Sequence, residues 1–416
     1  MERLKIFFVV CVAAWVSFFA PFMGRDKFGV FFWILGITFA VQLFRRREKI
    51  SLIFSKEEIP FWIFFAAMAG GLVNAHGYAE SPRYYLSFIL PIPLIYFFAK
   101  VYFQKEYAVT LATIFHVAAL IVCLFGFSEF ITLKNFIYQC LINNMYFNAF
   151  KGSRMISTQI HATPLGTYLL AMLPLSVFLL LRPGRTIGRV YFILSSLAIT
   201  AGIMLTFSRG ALIALLGVMA VMAGVLLPHK KKLFPTLIGI IMVLVLLSLL
   251  STLLSQYGFR CFYRLSFHEL SQGEFYHSKL VRFLTLGAIL KDHPFFGLGF
   301  DNFRDMFTHY FPQLAYTPID NRVPDCMYWA FLAETGLVGF TGFIVFISLL
   351  LRRGIKALRL IADSQDRLFI TCVLAGLTGI MLTFLTYDGL YWPVPSFLFW
   401  SYAGILSSLA APRLKN

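Results

Sequence analysis

The sequence predicts an all-α integral membrane protein of about twelve transmembrane helices, and three observations carry that prediction. Of 416 residues, 59% are hydrophobic and 13% charged, against roughly a quarter charged in an ordinary soluble domain. Apolar runs recur from end to end, each about 17 to 25 residues long, enough to cross a hydrocarbon core about 30 Å thick as a helix. The connections between most of them are short and are basic or broken by Pro and Gly, as at Arg45-Arg46-Arg47 and Lys230-Lys231-Lys232.

Taken in order, the spans fall near 4–23, 28–44, 59–75, 84–102, 107–132, 163–181, 190–207, 211–227, 234–256, 328–350, 368–386 and 394–410. The first run, Ile6 to Phe22, is read as a retained span rather than a signal peptide, because no small-residue cleavage site and polar mature region follow it. Two connections are longer: Leu133 to Ala162, and Tyr257 to Met327 between spans nine and ten. A connection of about 70 residues in a compact protein is usually functional. The chain therefore divides into 1–256 (nine spans), 257–327 (the long loop, expected to hold short helices) and 328–416 (three spans).

Orientation follows from the basic residues, since short cytoplasmic loops accumulate Lys and Arg. With the N-terminus inside, 22 of the 36 Lys and Arg residues fall on cytoplasmic segments, and seven of the others sit in the long loop, which translocates regardless of charge. Both termini are thus expected in the cytoplasm and the long loop outside. Positive-inside loops beside anionic lipid account for much of the +17 formal charge, so nucleic acid is not an expected partner. The six cysteines divide between spans (Cys11, Cys123, Cys372) and the outer side (Cys140, Cys261, Cys326), without metal-ligand spacing. No metal and no cofactor is expected.

Ionisable residues inside spans mark ion-coupled transport, because they are expensive in lipid. Glu334 is the one carboxylate more than a turn inside a span, with Glu129 near an outer end, which argues against a carrier. The outer face instead places single arginines beside apolar helix ends: Arg154, Arg209 and Arg282. The guanidinium fork donates paired hydrogen bonds to phosphate oxygens and stays charged, so three converging arginines would hold a diphosphate. Snorkelling to the interface or bonding helix-end carbonyls is the bland alternative for each.

Four segments resemble the O-antigen ligase and polymerase superfamily of bacterial membrane glycosyltransferases. TFSRGALIAL (Thr206 to Leu215) resembles the family's arginine at an outer helix junction. RFLTLGAILKDHPFFGLGFDNF (Arg282 to Phe303) resembles its arginine, short amphipathic helix, His-Pro and Gly-x-Gly turn. DCMYWAFLAETGLVGF (Asp325 to Phe340) is similar to the motif that opens with His-Asn or Asp-Asn and ends in Gly-x-x-Gly, and RMISTQIHATPLGTYLLAMLP from Arg154 matches more weakly the run before the sixth span. The resemblance covers residues 150 to 345 directly.

It implies a GT-C-like helical fold and, at the periplasmic face, transfer of a glycan from a polyprenyl-diphosphate-linked donor to a saccharide or lipid-linked acceptor. Such transfer needs positive charge for the departing diphosphate and a base for the acceptor proton. By resemblance Arg209 and Arg282 take the first role, with Arg154 a third. Asp325 stands where ligases of the family carry a catalytic histidine, eleven residues before Gly336, and Cys326 replaces the neighbouring Asn. A carboxylate acts as a base when burial raises its basicity, and nearby arginines work against that. An Asp just before a helix is equally a favoured N-cap, so base and cap stand level for Asp325. The aspartate variant also occurs in relatives assigned to polysaccharide polymerisation, which favours a polymerase over a ligase acting on lipid A core. A lipid-linked oligosaccharide flippase is the alternative of another class.

Other outer residues read more weakly. His277, His293 and His309 are substitutes for the missing base, with His293 placed in the His-Pro turn that ends a helix. Asp301 and Asn302 read as a turn and helix start, and Gly336 and Gly339 as small residues for close helix packing. In YDGLYWPVP, Asp388, Tyr391 and Trp392 fall at the outer interface, where an aromatic belt explains the two rings.

Overall fold

A computed structural model of the protein describes residues 10–19, 51, 53–70, 91–132, 154–182, 186–226, 274–310, 312 and 323–410. These residues are helical throughout their regular structure, with no strand among them. A π-helical turn, Trp15–Phe19, precedes eleven α-helices: α1 (Ile59–Gly70), α2 (Pro91–Tyr102), α3 (Ala108–Thr132), α4 (Ala162–Leu181), α5 (Thr186–Leu205), α6 (Arg209–Leu226), α7 (Glu274–Asp292), α8 (Phe303–Tyr310), α9 (Met327–Leu360), α10 (Ser364–Thr383) and α11 (Pro393–Ala410).

Among the described residues six helical segments are long and apolar enough to cross a membrane: Lys105–Thr132, Ala162–Leu181, Ile187–Leu205, Arg209–Leu226, Met327–Leu360 and Ser364–Thr383. They coincide with the spans expected near 107–132, 163–181, 190–207, 211–227, 328–350 and 368–386. α11 fills the expected 394–410, and α1 and α2 cover parts of 59–75 and 84–102. The expected spans at 28–44 and 234–256 lie outside the described residues, as does the first part of the long loop.

Burial separates core helices from lipid-facing ones. α4 is buried over 83% of its apolar span and the α5 span over only 22%. α4 is apolar all round and sits inside the bundle, whereas α5 turns Ile187, Leu194 and Leu197 outward, as a membrane helix does toward acyl chains. Small residues set the closest approaches. A Cβ on Gly166 of α4 would lie 2.7 Å from Ala211 of α6, and one on Gly404 of α11 would lie 2.4 Å from the Tyr96 carbonyl of α2. α1 reaches α9 in the same way, with Gly339 against Ala67 and Gly342 against the Phe64 amide.

The 34 residues of α9 are interrupted at Gly336, where φ is 61° and ψ is −166°. The loop 294–299 enters this break. Leu337 N–H donates to Pro294 O at 2.9 Å and Val338 N–H to Phe295 O at 3.1 Å, while Leu298 and Gly299 donate back to Ala333 O and Glu334 O, both at 2.9 Å. Backbone groups freed by a broken helix must find partners, and here the inserted loop supplies them. Gly336 is therefore a conformational glycine, not the packing glycine expected from sequence: a Cβ there would sit 2.4 Å from the Phe295 carbonyl. Gly339 keeps the expected packing role.

The part of the long loop within the described residues departs from an array of short helices. α7 is 19 residues long and starts well before Arg282. It ends at Asp292, just ahead of Pro294 as expected, because a proline disfavours helix for the residue before it. α8, with eight residues, is the short helix that follows.

Candidate active site

Two turns and one helix bring the expected residues to a common end of the bundle. The first turn joins α5 to α6. Thr206 Oγ1 donates to Ile203 O at 2.7 Å, and Ser208 Oγ accepts the Ala211 amide at 3.4 Å, capping α6. Phe207 between them has φ of 46°. Arg154 Nε donates to Thr206 O at 2.8 Å, and the Met155 amide donates to Leu205 O at 2.9 Å. Arg154 is thereby tied to a carbonyl three residues from Arg209, the first residue of α6.

The second turn, 384–386, links this corner to Asp325. A Cβ on Gly210 would lie 1.8 Å from Thr386 Oγ1, so the start of α6 rests on that turn. Phe384 O in turn accepts the amide of Met327, the first residue of α9, at 2.8 Å. Farther along the same connection Trp392 stacks on His161 at 5.7 Å, its Nε1 donating to Asp388 at 3.4 Å. His161 is the N-cap of α4, its Nδ1 accepting the Thr163 amide. The N-termini of α4, α6, α9 and α11 thus gather at one end, together with the partial positive charge of their unsatisfied amides.

Asp325 is not the helix cap. The N-cap position of α9 belongs to Cys326, whose side chain makes no capping bond. Asp325, one residue earlier at φ of 53°, turns its carboxylate to α7 instead. Arg282 Nη1 is 3.1 Å from Asp325 Oδ2 and Lys279 Nζ is 3.9 Å away. Arg282 Nε also donates to Val323 O at 2.6 Å, and Lys279 Nζ donates to the Asp325 carbonyl. Lys279 and Arg282 are three apart on α7, so both face the same way and together clamp the segment 323–325. The Asp325 side chain is 35% exposed while that of Arg282 is 11% exposed, which leaves the carboxylate reachable and the guanidinium held. Burial pulls the Lys279 ammonium below the usual lysine range, with Asp325 opposing that shift. The ammonium also lies 5.8 Å from the centre of the Trp329 ring.

Lys279 was not legible as a site residue, although the signal was present: a Lys-x-x-Arg pair on one helix face ahead of the arginine already singled out. Glu334, the lone carboxylate deep in a span, is an anchor. Buried at 1% exposure, it accepts the Asp301 amide at 2.8 Å, the Phe303 amide at 3.3 Å and the Tyr391 hydroxyl. An acidic group at the start of α8 also complements that helix's dipole. Tyr391 is accordingly buried and bonded, with Phe300 edge-on at 4.9 Å, and does not belong to an interfacial belt. Asn302 closes the Gly-x-Gly turn by donating to Leu298 O at 2.8 Å. Glu129 accepts the Ser157 amide at 2.6 Å and fixes the chain after Arg154.

Of the loop histidines, His293 is half-buried in its turn and His309 is exposed on α8, and the His277 side chain lies outside the described residues. Cys11, Cys123, Cys326 and Cys372 are free thiols, and Cys140 and Cys261 lie outside the described residues. Among the described residues no group of three His, Cys, Asp or Glu side chains could hold a metal ion.

Fold and site define an all-helical membrane protein with a cation cluster and an accessible carboxylate at one end of its bundle. Residues 193–344 match the family model described as O-antigen ligase, in line with the O-antigen ligase and polymerase superfamily. The match takes in Arg209, Lys279, Arg282, Asp325 and Glu334, and Arg154 precedes it. It supports a ligase- or polymerase-like function and a glycosyltransferase-like class that handles lipid-linked glycans in general. No curated protein matches the chain.

Proposed function

We propose that the protein is a glycosyltransferase that moves a glycan from a polyprenyl diphosphate to a saccharide acceptor at the periplasmic face, as a polysaccharide polymerase does. The observation that carries this reading is the Asp325 carboxylate held between Arg282 and Lys279, with the 384–386 turn joining the start of α9 to the corner where Arg154 meets the Thr206 carbonyl and Arg209 opens α6. The acceptor hydroxyl attacks the anomeric carbon while the bond to the diphosphate oxygen breaks, inverting that carbon in one displacement. The hydroxyl proton passes to Asp325, an acceptor-only group when ionised. The bond's electron pair leaves on the diphosphate, which Arg209 and Arg282 stabilise with Arg154 as a third cation. Four helix N-termini at this end favour the same anion. No metal takes part.

In this reading the protein lies in the bacterial inner membrane with both termini in the cytoplasm. A ligase that joins the glycan to lipid A core or to protein uses the same chemistry, and the description of the matching family favours it as the second reading. A flippase finds less support, because Glu334 is committed to two amides and a hydroxyl.

Glycan transfer from a synthetic polyprenyl-diphosphate oligosaccharide, by the purified protein in lipid with EDTA present, tests the proposal. Chain-extended product, lost in Arg209→Ala and Arg282→Ala, is expected. Transfer that stops on chelation, or arginine variants of full activity, would overturn it.

A further inference from the structure

At the far end of α9 a second cluster of cations has no part in this chemistry. A cavity of about 350 Å³ is lined by Lys56 and Glu57 before α1 and by Leu349, Arg352, Arg353 and Lys356 of α9. Its floor is built. Glu58 is fully buried and receives Lys100 at 2.7 Å, the Tyr96 hydroxyl at 2.9 Å and Arg353 at 3.4 Å. Arg353 reaches Glu57 as well, at 3.3 Å, which consumes the acidic charge of the site on one fixed guanidinium. Lys56, Arg352 and Lys356 are exposed and make no ion pair among the described residues, so the cavity keeps an excess of positive charge.

Its position matters as much as its charge. On the two sides of the break the segments 327–335 and 337–352 rise by roughly 12 Å and 22 Å along their own axes at 1.5 Å per helical residue, together on the order of a bilayer's hydrocarbon thickness of about 30 Å. Around the cavity the apolar side chains turn outward: Phe54 is 70% exposed, Ile59 52% and Ile355 49%. A cationic cavity bordered by an apolar outer surface, one bilayer thickness from the other polar end, stands at the headgroup level of the opposite leaflet.

We infer that this cavity binds the headgroup phosphate of an anionic phospholipid, with Arg352, Lys356 and Lys56 as its ligands and Arg353 as the fixed wall. Leu349 and the methylene stems of the lysines meet the glycerol and first acyl carbons. Juxtamembrane cations between helices bind acidic headgroups in this way.

The full-length protein, purified in mild detergent, is incubated with phosphatidylglycerol or phosphatidylcholine, and retained lipid is counted by native mass spectrometry. The comparison is with Arg352→Gln/Lys356→Gln, which leaves Arg353 and its buried partners intact. Phosphatidylglycerol is expected to be retained in clear preference to phosphatidylcholine, and each removed charge to lower that preference about fivefold. Inorganic phosphate at millimolar concentration is expected not to displace the lipid. Equal retention of the two lipids by the wild type, or an unchanged preference in a double variant with unaltered thermal unfolding, would overturn the inference. Displacement by inorganic phosphate would assign the cavity to soluble anions and overturn it also.

Discussion

Arg282 holds Asp325 at 3.1 Å, across 43 residues of sequence, and the same guanidinium bonds the Val323 carbonyl. One side chain of α7 therefore sets both the backbone and the carboxylate that precede α9. Removing it should do more than subtract a charge. Arg282→Ala is expected to lower glycan transfer by about 10²-fold or more, the usual cost of losing a donor to developing negative charge. Arg282→Lys should recover little, since an ammonium cannot serve the carbonyl, the carboxylate and a diphosphate oxygen at once. Transfer rates of the two variants beside the wild type check this.

Asp325→Asn keeps the shape of the side chain and removes its capacity to take a proton. With the cap position held by Cys326, helix stability should be little changed. The rate constant for transfer should fall by about 10² to 10⁴-fold, the range for general base catalysis, with KM for the donor nearly constant. A variant whose thermal unfolding drops while its residual rate remains high would make Asp325 a structural group.

Lys279 gives a dependence on pH with a defined sign. Its ammonium clamps the Asp325 carbonyl while protonated, and burial lowers the pKa from the ordinary lysine value. The clamp is present below that lowered pKa and is lost as pH rises through it, so activity should fall on the alkaline side sooner than an ordinary lysine would dictate. Stability runs the other way. Between the lowered pKa and the unfolded value the unfolded chain binds more protons, and burial of this lysine becomes less costly as pH rises. Lys279→Arg, charged at all these pH values, should move the alkaline limb of the rate profile upward. An unmoved limb would remove Lys279 from the site.

Gly336 should not tolerate alanine. Its φ of 61° and the Phe295 carbonyl 2.4 Å from a new Cβ combine backbone strain with a clash against main chain. A loss above about 3 kcal/mol is expected. Thermal unfolding in detergent, compared with Gly224→Ala, where nothing lies within 4 Å, separates this from a general intolerance of helix glycines.

Period and length made the spans legible, because a helix in lipid needs an apolar run of defined length and little else. The helices at 162–181, 209–226 and 364–383 begin and end within a few residues of their expected limits. The arginines stood out in the sequence for a related reason, since a single cation beside an apolar run is conspicuous, although Arg282 lies in the middle of α7 and not at a helix end. What the sequence hid lay in tertiary contact. Nothing local distinguishes Gly336, which breaks a helix, from Gly339, which packs one, since the difference is the loop 294–299 arriving from elsewhere. Glu334 stood out in the sequence only as the one carboxylate deep in a span, because its partners, the amides of Asp301 and Phe303 and the hydroxyl of Tyr391, are distant in sequence. The Lys-x-x-Arg spacing of Lys279 and Arg282 is local, but the partner that gives it meaning, Asp325, is 46 residues away.

The central claim is that Arg209 and Arg282 act on one diphosphate. A double-mutant cycle on glycan transfer, with Arg209→Ala, Arg282→Ala and both together, measures it most directly. Cations that share a ligand couple, so the double variant should lose much less than the product of the two single losses. If the losses multiply, the two arginines act independently and the shared-diphosphate site is contradicted.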